Sequence, residues 1–246
     1  MSRVATCVVA GLALALAAFV PGNAAEEKDK PVTPFNGTDL KGWKLRNEKN
    51  NHWVVGFASL DEKEPRQLSA RVLKPGQDGG PRATELINDL KKGEHGTDIY
   101  TEEKFGDCAV ELELMIPKGS NSGIYLMGEY EVQVLDSFGK DKVGPGDMGG
   151  IYNTAAPKKN ACKKPGEWQK FVIDFRAPRF EDGKKTANAK FLKVTLNDEV
   201  IHEDVEAPKP TGSELSSKEV ATGPLMIQGD HGPVALRNIK ITPKGK

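Results

Sequence analysis

Glu131, Gln133 and Asp136 stand at i, i+2 and i+5, and a second polar pair, Asp230-His231, sits in a turn bracketed by Gly229 and Gly232. Carboxyl groups spaced along a strand can lend and take protons, and an imidazole that titrates near neutrality suits a general base. Gln133 can hold a hydroxyl by hydrogen bonds but can neither lend nor take a proton. Double-displacement glycoside hydrolysis wants two carboxyl groups about 5 Å apart, one kept protonated, so a glutamine between the acids argues against that route. Arg237 alternates with Leu236 and therefore faces away from a core, where it could bind hydroxyls or a developing oxyanion, or pair with a surface acid. Asn121 opens an Asn-Ser-Gly-Ile stretch, and its amide can both donate to and accept from hydroxyls. Tyr125 and Trp168 offer flat faces to a sugar ring or to the core. His52, His95 and His202 show no partner pattern.

The elements that must position these groups are strands. In Tyr130–Asp136, Tyr130, Val132 and Val134 share one face while Glu131 and Gln133 share the other, because successive strand residues point to opposite sides. Cys108–Ile116 repeats the pattern, with Val110, Leu112, Leu114 and Ile116 on one face and Glu111, Glu113 and Met115 on the other. The spread of 26 Gly and 16 Pro between short alternating segments favours strands and turns. Further strands are expected over 52–60, 67–73, 97–101, 122–127, 150–153, 168–176, 191–196, 199–205, 224–228 and 234–241, with a tight hairpin turn at Asn197-Asp198. Residues 81–92 have Ala83, Leu86, Ile87 and Leu90 at helical spacing. Segments 140–147 and 180–189 read as surface loops. So many half-apolar strands predict an all-β sandwich of two antiparallel sheets packed face to face.

Arg3, an apolar run from Val4 to Val20 and small residues up to Ala25 describe a secretory signal over residues 1–25, shorter in its apolar part than the ~20 residues of a spanning helix. A charged tether over 26–33 and one domain over 34–246 would follow, in a periplasm or outside the cell. Lys plus Arg and Asp plus Glu number 35 each, a balance that argues against nucleic acid or an anionic membrane surface as partner. Cys108 and Cys162 are read as free thiols, with a single disulfide as the alternative. No Cys or His spacing marks structural zinc.

Three motif regions carry a resemblance: Phe35-Asn36-Gly37-Thr38-Asp39-Leu40-Lys41-Gly42-Trp43; Asn121-Ser122-Gly123-Ile124 with Glu131-Val132-Gln133-Val134-Leu135-Asp136; and Gln228-Gly229-Asp230-His231-Gly232 followed by Arg237-Asn238-Ile239. From about Thr33 to Pro243 the chain resembles the 3-keto-disaccharide hydrolase domain family. The resemblance implies a concanavalin A-like jelly roll whose curved sheet forms a concave groove, with Glu113 on its floor. It implies a substrate already oxidised to a ketone at C3 of a disaccharide or glycoside. The ketone acidifies the C2 proton, so that a base makes an enolate, the C1 substituent is expelled and water adds back. On this reading either His231 or Glu131 is the base, Asp136 or Asp230 orients it, and Arg237 or a divalent cation stabilises the enolate. Glu113, Asn121, Tyr125, Gln133 and Gln228 would bind substrate. Glu131, Asp136, Asp230 and His231 could instead collect an oxygen-loving cation such as calcium, for which no ligand spacing decides. A non-catalytic carbohydrate-binding module and a glycanase acting on unoxidised polymers are the other readings, since fold does not fix function.

Overall fold

The strand Cys108–Met115 shows how the sandwich is made: Val110, Leu112 and Leu114 are buried while Glu111 and Glu113, on the alternate positions, are half-buried. The computed structural model describes Met1 and residues 30–72, 85–216 and 218–245. In chain order the strands are β1 (Trp43–Leu45), β2 (Trp53–Leu60), β3 (Leu68–Val72), β4 (Glu85–Asn88), β5 (Ile99–Phe105), β6 (Cys108–Met115), β7 (Asn121–Leu126), β8 (Tyr130–Leu135), β9 (Gln169–Arg176), β10 (Arg179–Glu181), β11 (Lys184–Ala187), β12 (Ala189–Leu196), β13 (Glu199–Ala207), β14 (Gly223–Ile227) and β15 (Val234–Pro243). They form a five-stranded sheet ordered β1-β5-β14-β7-β8, an eight-stranded sheet ordered β13-β12-β9-β6-β15-β4-β2-β3, and the small β10-β11 pair. Every pairing between named strands is antiparallel. This is the all-β sandwich that the alternation predicts, in the jelly-roll form that the resemblance implies.

The inner faces of the two sheets make one core. Ile124, Leu126, Tyr130, Val132 and Val134 of the smaller sheet meet Phe171, Ile173, Phe175 and Phe191 of the larger one. Tyr130 and Phe175 have ring centroids 5.6 Å apart, and Phe175 meets Phe191 edge-on at 5.2 Å. Each such buried side chain contributes roughly 1.5–3 kcal/mol relative to exposure, which is why the register of the strands is fixed. A second, smaller cluster of Leu68, Ile87, Met115 and Ala235 lies on the outer face of the larger sheet, with Trp168 and Val54 packed against it.

Four expectations change. Residues 85–88 are strand β4 and not helix; residues 81–84 lie outside the described residues. Leu86 joins the core and Ile87 the outer cluster, so a strand apolar on both faces imitates helical spacing. Residues 150–153 form no strand: Ile151 alone bridges Val132 and Ala155. The 180–189 loop contains the β10-β11 hairpin, turned by Asp182 and Gly183 at φ 48° and 74°. Val32, within the expected tether, exchanges backbone hydrogen bonds of 2.7 and 2.8 Å with Ile241. The expected signal segment, Met1 apart, lies outside the described residues. Asn197 and Asp198, with φ of 53° and 67°, form the predicted hairpin turn, and Cys108 and Cys162 are free thiols.

Two close backbone approaches join the loop before β5 to the loop after β14. A Cβ on Gly96 would fall 2.0 Å from the Gly229 oxygen, and one on Gly229 would fall 2.2 Å from the Thr97 oxygen and 2.9 Å from Trp53 Cζ2. Gly229→Ala is expected to lower stability by about 1–3 kcal/mol, the range for overpacking, read as a lower denaturant midpoint. An unchanged midpoint would show that these loops yield freely.

Candidate active site

The outer face of the smaller sheet carries one continuous row. Lys44 of β1 pairs with Tyr100 of β5, Tyr100 with Met226 of β14, Met226 with Tyr125 of β7, and Tyr125 with Glu131 of β8. Beside it lies a second row, in which the Gln228 amide donates to the Gly123 oxygen at 2.9 Å and Gly123 pairs with Gln133. Both rows belong to the face opposite the core, so their polar groups gather there.

Gly123 is what lets Glu131 lie flat. A Cβ on Gly123 would come within 2.3 Å of Glu131 Oε1 and 2.8 Å of Tyr125 Cε2. The Glu131 carboxyl therefore occupies the space above a glycine, and only 2% of the residue is exposed. Burial raises its pKa to about 7; the Tyr125 hydroxyl and the charge of His231 pull down, and Asp98 and Asp230 push up. Tyr125 Oη influences that carboxyl without completing a hydrogen bond of good geometry. Its own pKa is raised, by burial first and then by Glu131.

Asp230 and His231 reach the same face from the loop between β14 and β15. Asp230 Oδ1 is 2.5 Å from His231 Nδ1, and both side chains are about half exposed. That hydrogen bond, ahead of the opposing desolvation, raises the His231 pKa and lowers that of Asp230. The loop is anchored by Asn88 of β4, fully buried, whose Nδ2 donates to the Gly229 and Gly232 oxygens at 2.9 Å each. Asp98 Oδ1 accepts from the Gly229 amide at 3.0 Å, and its Oδ2 lies 3.2 Å from Arg46 Nη1. Burial raises the Asp98 pKa over these opposing contacts. His231 opens onto a cleft of about 300 Å³ that Arg66, Lys118 and Ser120 also line.

The edge of β8 is closed by two loops. Glu131 N donates to Thr211 Oγ1 and its oxygen accepts from Tyr152 N, while Gln133 exchanges bonds with Gly150 O and Gly149 N. The segment from Thr211 to Ser216 then crosses the outer face, where Arg46 donates to the Ser213 and Glu214 oxygens at 3.3 and 3.1 Å.

The structure thus brings together Glu131, Asp230, His231, Tyr125, Gln133, Gln228 and, at the start of β7, Asn121, whose buried Oδ1 has no hydrogen-bond partner. Three expected members lie elsewhere. Glu113 and Arg237 face each other across β6 and β15 on the outer side of the larger sheet, where Arg237 Nε donates to Glu113 Oε2 at 2.7 Å. Arg237 also stacks on Trp168, 4.0 Å from its centroid, which accounts for that ring. Asp136 turns its carboxylate onto the Gly119 and Phe138 amides at 2.9 and 3.3 Å. Asp98, Arg46 and Asn88 are members that the sequence reading passed over. Parity could have found the first two, since Asp98 alternates with Ile99 and Arg46 with Leu45 as Glu131 does with Val132. Nothing local marks Asn88. Among the described residues no three His, Cys, Asp or Glu side chains converge as a metal site requires, so the expected calcium ligands do not form one set and no step is routed through a cation.

A polar floor on a jelly-roll sheet, with a buried carboxyl and a carboxylate-held imidazole at its lip, defines a class of small-molecule site. Residues 30–242 match the 3-keto-alpha-glucoside-1,2-lyase-like domain family, and the chain belongs to that family. Membership places it among carbohydrate-processing proteins. It is similar to a candidate glycosyl hydrolase of solved structure from Parabacteroides distasonis ATCC 8503, at 28% identity and TM-score 0.63, over 87% of this chain and 84% of that one. A second candidate glycosyl hydrolase from that organism shares the fold at 18% identity and TM-score 0.56, over 91% of this chain and 98% of that one. No curated protein matches the chain.

Glu131 has a stability consequence that can be measured. A carboxyl whose pKa is raised from 4.5 to about 7 on folding keeps its proton in the folded state where the unfolded chain has lost it, so stability falls as pH rises between those values. Glu131→Gln, which mimics the neutral form, is expected to gain on wild type by about 2.5 kcal/mol between pH 5 and pH 8, at about 1.36 kcal/mol per pKa unit. Urea unfolding at both pH values checks this; a difference that does not grow with pH would show that the carboxyl is not desolvated.

Proposed function

We propose that the chain is an exported enzyme that cleaves the glycosidic bond of 3-keto-disaccharides or 3-keto-glycosides by C2 deprotonation, elimination and hydration. The observation that carries this reading is the pairing of a desolvated Glu131, with a pKa of about 7, and a His231 2.5 Å from Asp230, whose hydrogen bond favours the imidazolium. Those environments support one division of the two roles that sequence left open. Glu131 is the base and His231 the acid, because the best catalytic pKa lies near the working pH and the two environments hold opposite protonation states.

Glu131 takes the C2 proton, and the electron pair forms the enolate of the C3 ketone. Arg46 and the Tyr125 hydroxyl are the donors on this face available to that oxygen. Collapse of the enolate makes the C1–C2 double bond and breaks the C1–O bond, while His231 gives its proton to the leaving oxygen. Water then adds at C1, losing a proton to His231, and C2 takes a proton from Glu131 after that carboxyl has exchanged with solvent. Asn121, Gln133 and Gln228 hold hydroxyls. Such chemistry needs no second tuned carboxyl, which agrees with a glutamine at 133. The positively charged start and apolar run of residues 1–25 support export.

The test is incubation with a 3-keto-disaccharide and with its unoxidised parent in deuterated water. Release from the keto-sugar alone, with deuterium at C2, is expected; binding without turnover of either sugar would replace this reading with a carbohydrate-binding module. Glu131→Gln should lower kcat by about 10²–10⁴, the span of general base catalysis. The kcat/KM of wild type should rise with pH through about 7 as Glu131 ionises and fall on the alkaline side as His231 loses its proton. Asp230→Asn removes the partner that chiefly raises the His231 pKa and a weaker upward push on Glu131, so the falling limb should move to lower pH by more than the rising limb. A rigid shift of both limbs would remove the assignment of acid and base.

A further inference from the structure

The outer face of the smaller sheet holds a second cleft, of about 420 Å³, bounded by Leu215 and Ser216 of the crossing segment and floored by Tyr100 and Glu129. Its size lies within the ~300–1,000 Å³ typical of small-molecule sites. Glu129 precedes Glu131 by two residues on the same face, yet its surroundings are different. The residue is 2% exposed, and its Oε2 is buried without completing a hydrogen bond, although the Ser216 amide lies near the carboxyl and lowers its pKa against the burial. A buried polar atom left without a partner costs about 1–3 kcal/mol, so this one calls for an explanation.

The turn that presents Glu129 is strained as well. Met127 takes φ 59° in the left-handed region, with Gly128 at 71°, and Glu129 N closes the turn on Leu126 O at 3.1 Å. A turn with positive φ at both central residues favours Asn-Gly there, and a methionine in the left-handed region costs about 1–2 kcal/mol. Met127 also lines the cleft. Strain of this sort persists where function over-determines a backbone.

We propose that this cleft is a second sugar-binding site, in which a pyranose ring lies on Tyr100 and one of its hydroxyl oxygens receives a hydrogen bond from the Glu129 carboxyl. Burial, and then the neighbouring Glu214, push that carboxyl up to about 8, so at neutral pH it is a donor. Ser216 and Thr222 contribute hydroxyls, and Lys104 enters no ion pair among the described residues. A flat aromatic face beside convergent donors matches a ring that is apolar on its faces and hydroxylated at its rim. The inference rests on the carbohydrate class of the chain and is independent of the chemistry assigned to Glu131 and His231.

The probe is trehalose, which lacks the ketone, titrated into the full chain with backbone amide shifts followed by NMR. Shifts at Thr101, Ser216 and Thr222 are expected, saturating at the millimolar affinity of a singly stacked ring, about −4 kcal/mol. Tyr100→Ala and Glu129→Leu should weaken binding at those amides at least about tenfold, and Glu129→Gln, which keeps a donor, by less than about threefold. Turnover of a 3-keto-disaccharide by Glu129→Gln should match wild type. Shifts confined to residues around Glu131 and His231, or none at about 50 mM, would overturn the second site whatever the outcome of the turnover assay, because that concentration exceeds the expected Kd many-fold. If Glu129→Leu does not fold, Tyr100→Ala and the position of the wild-type shifts decide alone.

Discussion

The site depends on one strand having a core face and a polar face at adjacent residues. Val132 is fixed in the sandwich by the packing of both sheets, and the pleat then obliges Glu131 to lie on the outer face whatever that costs. The cost is desolvation, since loops close over the edge of β8 and the 211–216 segment crosses the face. Gly123 removes the one side chain that would have kept the carboxyl away from the sheet. A carboxyl in that position is held near neutrality by its surroundings, and the loop carrying Asp230 and His231 supplies the opposite charge at the lip.

The two faces of the sandwich use similar polar residues to different ends. On the larger sheet Glu113 meets Arg237, Glu111 meets Lys240, and an arginine lies on Trp168. Each of these charges has a neighbour of opposite sign, and cross-strand pairs of this type contribute a few tenths of a kcal/mol to about one. On the smaller sheet the carboxyls of Glu129, Glu131 and Asp98 are buried without such neutralisation, apart from the half-exposed Arg46 beside Asp98. Pairing, and not the presence of acids, separates the structural face from the chemical one.

Much of this was legible in residue order. Alternation in β6 and β8 gave the sandwich, and parity put Glu131 and Gln133 together on the outer face. Alternation is silent on which of two sheets a strand joins, and so Glu113 and Arg237, correctly seen as outward, were assigned to the wrong side. Asp136 lies one residue past β8, where parity ends and turn hydrogen bonds take over. Asn88 could not be found in this way because its partners are the carbonyls of residues 229 and 232, more than 140 positions away. Strand β4 was misread because burial on both faces erases the period of two.

The pairing of Val32 with Ile241 brings the first and last parts of the described domain to one place on its surface. A domain whose ends lie side by side can be entered and left at a single point by a longer polypeptide. It can therefore be joined to a membrane tether or inserted within a loop of another protein without disturbing the sheet face that carries Glu131. The same closeness permits relinking the chain in a circularly permuted order, with new ends opened at an exposed turn such as Asn197-Asp198.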